Sequence, residues 1–129
     1  MTTRAIADTS IFVADEAGRP LDPASLPDEL AVSVITIGEL RAGVLAATDL
    51  AAKDRRLRTL MAALELDPIP IDTAVAAHWA KLRVLLRDRG LRMGVNDSWI
   101  AATALALGIP VVTQDAGFPA LDELHVLRV

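Results

Sequence analysis

Four acidic residues of this chain, Asp8, Glu39, Asp97 and Asp115, stand where carboxylates can act together. Asp8 closes the short apolar run "RAIA", and Glu39 lies within "TIGELRAGVLAA". The stretch "VNDSWIAATALALGIPVVTQDAGF" carries Asp97 near its start and Asp115 near its end. Taken singly, each has an ordinary structural explanation. Asp8 and Asp97 sit where an acid favours a helix N-terminus. Thr36-x-x-Glu39 fits a capping box, and Asp115 suits a turn. Gathered in one place, four carboxylates without a nearby lysine repel each other unless a cation sits among them. Ligands that are all oxygen select hard ions, so Mg²⁺ or Mn²⁺ fits better than zinc. Such an ion lowers the pKa of bound water, orients the hydroxide and offsets charge building on a phosphoryl group. Thr9, Ser10 and Thr113 flank the acids. They are placed to hold a carboxylate or a metal-bound water, or simply to cap helices.

Whether the acids meet depends on the elements that carry them. "RAIA" (4–7) reads as a strand ending at Asp8, and "TSIFVADEAG" as a short helix closed by Gly18. The proline-rich "RPLDPASLPDEL" is a loop with at most one helical turn. "AVSVI" (31–35) reads as a buried β-branched strand, and 36–47 as a helix capped by Thr36. In 50–66, Leu50, Leu57, Leu60, Met61 and Leu64 fall on one amphipathic stripe. "PIPI" (68–71) is a brief strand. Asp72 then caps a helix whose buried stripe is Val75, Trp79, Leu82 and Leu86, ended by Gly90. Asn96 caps the next helix and Gly108 stops it. "PVVT" (110–113) is a strand, and "HVLRV" (125–129) a last edge strand. Strands alternating with helices predict an α/β fold, a three-layer α/β/α sandwich around a mainly parallel sheet. In such a sheet ligands bind beyond the carboxyl ends of the strands. Asp8 and Asp115 follow strands, and Glu39 and Asp97 lie in the first turns of helices that start at that edge. All four acids are therefore expected there.

Bulk properties narrow the class further. A chain of 129 residues fits one domain over 1–129. Hydrophobic residues make up 53% and mean hydropathy is +0.40, rich enough to predict a subunit interface. Residues 36–47 and 72–90 offer the Ala- and Leu-rich faces for a homodimer. With no cysteine, disulfides and thiolate metal sites are excluded. The N-terminus meets acids too early for a signal peptide, and Trp99–Val112 is too short to span a bilayer, so a cytoplasmic location without a membrane is expected. Net charge is −4, yet "KDRRLR" (53–58) is +3 and "KLRVLLRDRGLR" (81–92) is +4. Either run reads as a solvated face. Their arginine content also suits phosphate, which a guanidinium fork matches. His78 and His125 lack an evident carboxylate partner and read as structural. Trp79 and Trp99 read as core.

Together, "IADTSIFVA", "VSVITIGELRAGV" and "VNDSWIAATALALGIPVVTQDAGF", in this order, resemble the PIN-domain ribonucleases, and within them the VapC-type toxins of bacterial toxin–antitoxin pairs. The likeness runs from about Ala5 to Phe118. It implies a PIN-like sandwich and a Mg²⁺- or Mn²⁺-dependent endoribonuclease whose metal-binding and catalytic acids are Asp8, Glu39, Asp97 and Asp115. It also implies a homodimer, an RNA substrate and a cognate antitoxin that blocks the site. The chain departs from the family pattern at Gly117, where many relatives carry a further acid.

Rival chemistries fit less well. A phosphoacceptor receiver domain needs paired acids after its first strand and a lysine at a late strand end; here Lys53 and Lys81 both lie on helices. A haloacid-dehalogenase-type phosphatase needs D-x-D where this chain has "DTS". The non-enzymatic alternative is a catalytically silent PIN-like module that binds RNA or a protein partner.

Overall fold

A computed structural model describes all 129 residues. Four strands, β1 (Arg4–Ala7), β2 (Glu29–Ala31), β3 (Val111–Thr113) and β4 (Val126–Arg128), form one sheet in the order β2-β1-β3-β4. Every pairing is parallel, with Ile6 opposite Ala31 on one side and Val111 on the other. The helices are α1 (Thr9–Glu16), α2 (Val34–Ala46), α3 (Leu50–Leu64), α4 (Thr73–Arg89) and α5 (Val95–Leu107), with one 3₁₀ turn at Pro23–Ser25. No helix is long and apolar enough to cross a membrane.

The central strands are buried on both faces, as an interior parallel sheet requires. Ala5, Ile6, Ala7, Val111 and Val112 have no exposed surface. Their side chains alternate between two cores. Ile6 and Val111 join Leu82, Leu86, Ile100, Ala101 and Ala104 on the α4/α5 side. Ala5, Ala7 and Val112 join Ile11 of α1 on the other. Leu40 and Val44 of α2 pack with Leu60 and Ala63 of α3 in a third cluster. The three-layer α/β/α sandwich is thus the observed architecture.

Several element bounds differ from the sequence reading, each for a local reason. The second strand ends at Ala31, because Ser33 turns the chain: its hydroxyl accepts the amide of Ile35 at 3.0 Å and caps α2. Val34 and Ile35, β-branched as they are, become the first turn of a helix. "PIPI" contributes only one bridge, Ile69 to Ser33, since Pro68 and Pro70 have no N–H to donate to a ladder. Gly94, and not Asn96, precedes α5, which makes Asp97 its third residue. Asp72, Gly90 and Gly108 end or begin their helices as expected. On α3 only Leu60 of the apolar stripe is buried, while Leu50 (83% exposed), Met61 (58%), Leu57 and Leu64 face outward. No other helix leaves as many large apolar side chains exposed as α3 does. Trp79 of the α4 stripe is half-buried, and Val75, Leu82 and Leu86 are buried.

Candidate functional site

From β1 the chain goes outward to β2, then returns across β1 to β3 and β4. The switch of direction falls between the carboxyl ends of β1 and β3, where an open α/β sheet leaves a crevice. Asp8 follows β1 there and is 2% exposed. It caps α1 by accepting the Ser10 amide at 3.1 Å on Oδ1, which also accepts the Ser10 hydroxyl at 2.5 Å. Its Oδ2 accepts the hydroxyl of Thr113, the last residue of β3, at 2.7 Å. Thr113 in turn accepts the Asp115 amide at 2.8 Å, and Ser10 accepts the Gln114 amide at 2.9 Å. The two hydroxyl oxygens lie 3.1 Å apart. Each has one proton, and an ionised Asp8 takes both, so they support the carboxylate rather than each other. Burial, with Asp115 adding like charge, still pushes the Asp8 carboxyl above the ordinary range.

Glu39 arrives from α2. The capping box expected for it does not form, because Ser33 is the cap and Thr36 already lies inside the helix. Thr36 is fully buried and its hydroxyl lies 3.1 Å from that of Thr9, which donates to Glu39 Oε1 at 2.7 Å. With its one proton on Glu39, Thr9 accepts from Thr36. Adjacent residues of "DTS" thus serve different acids: Thr9 holds Glu39 and Ser10 holds Asp8. The reading of Thr9, Ser10 and Thr113 as carboxylate holders describes what they do here.

Asp97, half-buried in the first turn of α5, is the most perturbed acid of the set. Its carboxyl is pushed up to about 6, first by burial and then by the like charges of Asp8, Asp115 and Glu39. All four acids therefore share one field. None of the molecule's ion pairs involves them; those join Arg58 to Asp54, Arg87 to Asp88 and Arg89 to Glu123. Gly117 marks how near two of them come. A Cβ on it would lie 3.3 Å from Asp115 Oδ2 and 3.4 Å from Asp97 Oδ2. The gap between those carboxylates is open because this residue has no side chain.

The donor set fits a hard divalent cation in composition: oxygen-only, anionic and without an internal counter-charge. No three of the acids converge tightly enough to ligate one ion directly as they stand. A small hard ion that keeps several of its waters needs only one or two carboxylates directly.

His78 and His125 make no hydrogen bond with these acids. The tryptophans carry more than a core role. Trp79 of α4 and Trp99 of α5 stack with centroids 4.3 Å apart and planes within 2°, and the Arg83 guanidinium lies 4.9 Å above the Trp79 ring. Trp79 Nε1 donates to the hydroxyl of Ser98, the neighbour of Asp97, at 3.0 Å. The i, i+4 spacing of Trp79 and Arg83 was the available sign of this contact.

The sheet order and the acids at its switch point define a class, and comparison with known proteins identifies it. The PIN domain matches residues 5–124, and the chain belongs to that family. It is 44% identical over 127 residues to Ribonuclease VapC5 of Mycobacterium tuberculosis, covering 96% of this chain and 94% of that protein. To Ribonuclease VapC4 of the same organism it is 47% identical over 127 residues, covering 98% and 97%. Among solved structures it matches VapBC-5 from M. tuberculosis, a member of the VapBC family of toxin–antitoxin systems. That match has a TM-score of 0.90 at 41% identity and covers 98% of this chain and 99% of the other.

Proposed function

We propose that this chain is a VapC-type toxin, an endoribonuclease dependent on Mg²⁺ or Mn²⁺ and held in check by a cognate antitoxin. Residues 1–129 work as one PIN-like unit in the cytoplasm, and Asp8, Glu39, Asp97 and Asp115 carry the activity. The observation that bears this reading is Asp97, raised to about 6 by burial and three other acids, with no cationic side chain paired to any of them. A fold does not keep such a group for stability, since helix caps need no shared field. Identity of 44–47% to proteins named as ribonucleases, across nearly the whole chain, supports the same activity. The toxin–antitoxin context of the matched VapBC-5 structure supports the antitoxin partner. Apolar side chains left uncovered on α3 support a further subunit contact, and we propose a homodimer.

Asp97, Asp115, Asp8 and Glu39 would hold the ion between them, directly or through its waters. A bound divalent ion supplies a water of lowered pKa and a counter-charge for the phosphoryl oxygens. The chain's own residues fix the acids. Ser10 and Thr113 prevent Asp8 from rotating, and the Thr36–Thr9 relay aims Glu39. Asp97 keeps its proton to higher pH than an ordinary aspartate until a cation offsets its neighbours. Attack by water, and not by the ribose 2′-hydroxyl, leaves 5′-phosphate and 3′-hydroxyl ends. The test is purified protein on RNA with Mn²⁺ or with EDTA, followed by analysis of the product ends. Cutting that persists in EDTA, or cyclic phosphate ends, overturns the metal-and-water reading. RNA binding without any cutting in Mn²⁺ would instead mark a silent PIN-like binding module.

A further inference from the structure

An RNA strand approaching four clustered carboxylates on a protein of net charge −4 meets repulsion unless cationic surface lies close to them. Such surface exists at the start of α5. Arg83 and Arg87 from the C-terminal half of α4, and Arg92 from the loop before α5, line one groove of about 500 Å³ that reaches Ser98, next to Asp97. Leu91 and Met93 provide its apolar floor. Only Arg87 has an acidic partner, the exposed Asp88 beside it, in an ion pair open to solvent and of little strength. Arg83 is not loose. Its guanidinium lies over Trp79, which is stacked on Trp99 and hydrogen-bonded to Ser98. A planar cation is thereby fixed to the same first turn that carries Asp97.

The other basic run lacks these properties. Arg56 donates to the Gly43 carbonyl at 2.7 Å and Arg58 pairs with Asp54, while α3 packs on α1 and α2 rather than on α5. We propose that the Arg83–Arg87–Arg92 groove binds the phosphate backbone of single-stranded RNA beside the scissile bond and leads the strand to Asp97. The proposal rests on the ribonuclease reading and goes beyond it by naming the surface that receives the substrate.

The test compares the parent with Arg83→Gln/Arg87→Gln/Arg92→Gln and with Arg55→Gln, an exposed arginine of α3. Binding of a fluorescein-labelled single-stranded RNA is followed by polarisation in EDTA across a salt series. Cleavage in Mg²⁺ gives kcat and KM separately. Each phosphate that is no longer neutralised lowers the slope of log K on log salt by about 0.7, so the slope of the triple variant should fall by about 2. Its KM should rise at least tenfold with kcat held within about twofold, and Arg55→Gln should match the parent. All three arginines are exposed, and Arg83→Lys keeps charge without the planar stack, guarding against a folding artefact. Arg83→Lys should keep the salt slope. An unchanged slope and KM in the triple variant, with the parent still cutting RNA, overturns the groove and leaves the ribonuclease reading standing. A parent that neither binds nor cuts RNA overturns both. A triple variant that keeps the parent's RNA affinity but escapes inhibition by a co-expressed antitoxin assigns the groove to protein and overturns the RNA proposal.

Discussion

The two ends of the sheet are built on opposite plans. At the carboxyl end, the switch point between β1 and β3 gathers four acids on a scaffold of hydroxyls. The amino end holds the roomier cavity, about 670 Å³, beside Arg4, Pro110 and His125 and lined by Leu105, Ile109 and Leu124. Concavity alone would favour the amino end as the site. Chemistry favours the other, because the four acids are gathered there with no cationic side chain paired to them. Asp8 and Asp97 are both raised by burial and by neighbouring acids. Space is a by-product of packing helices of unequal length on a twisted sheet, whereas like charges crowd only where something offsets them.

The largest expected effect separates the two ends outright. Asp97→Asn keeps the shape of the first turn of α5 and removes one charge from the field. Cleavage should fall by more than about a hundredfold, beyond the range for residues that only orient a ligand. Ile109→Ala at the amino end should leave kcat/KM within a few-fold and lower the melting temperature instead, as removal of packed methylenes does. Comparable activity loss in both variants would erase the distinction between the ends.

A smaller effect tests whether the hydroxyls matter beyond filling space. Ser10→Ala and Thr113→Val each take one donor from the buried Asp8. Leaving such an acceptor short costs about 1–3 kcal/mol, and loss of an orienting partner lowers metal affinity or activity by about 10–100-fold. The drop should shrink as Mn²⁺ is raised, because the defect lies in carboxylate placement. A loss that ignores Mn²⁺ concentration would assign these hydroxyls to folding alone.

How legible this end was from sequence follows from how each acid is carried. Asp8, Asp97 and Asp115 border apolar runs, and the alternation of strand and helix brings such borders to one edge. Glu39 was harder, because Thr36-x-x-Glu39 has the spacing of a capping box. Only the fold reveals that Ser33 takes the cap and frees Glu39 for Thr9, a residue distant in sequence. The strand expected over 31–35 failed for the same reason, since one serine hydroxyl outweighed the β preference of Val34 and Ile35. Nor did periodicity distinguish Leu60, which meets α2, from Leu50 and Met61, which face solvent.

Charge crowding also predicts how stability depends on pH. The folded-state carboxyl of Asp97 lies at about 6 against an ordinary 3.8. A raised group contributes stability that is fully present below the unfolded value and lost as pH rises to the folded one. In EDTA, crowding should therefore weaken the fold between about pH 4 and 6 and remain a constant penalty above. Asp97→Asn should melt higher than the parent at pH 7, by about 1 kcal/mol once the shift is discounted for a half-exposed group. The gap should close toward pH 4. Mn²⁺ should raise the parent's melting temperature at pH 7 and do little in acid, since it binds the ionised, folded cluster. An Asn variant that melts lower at pH 7 would mean that the acids act as separate caps.

The smallest effect concerns the glycine between two carboxylates. A methyl on Gly117 would sit 3.3 Å from Asp115 Oδ2 and 3.4 Å from Asp97 Oδ2, tight enough that one carboxylate must move by a few tenths of an ångström. Backbone strain plays no part, because Gly117 is not among the glycines of positive φ. Fold stability should stay within about 0.5 kcal/mol, the range for surface changes. Any cation shared by Asp97 and Asp115 must enter the same gap. Gly117→Ala should then raise the Mn²⁺ concentration needed for half-maximal cleavage by a few-fold while leaving the rate at saturating metal nearly unchanged. At the amino end, Gly108→Ala makes the opposite pairing: no atom lies within 4 Å of the added methyl, but φ is +67°, so it should lower stability and leave the metal requirement alone. If Gly117→Ala changes neither metal requirement nor rate, Asp97 and Asp115 do not hold an ion between them, and the centre must be rebuilt around Asp8.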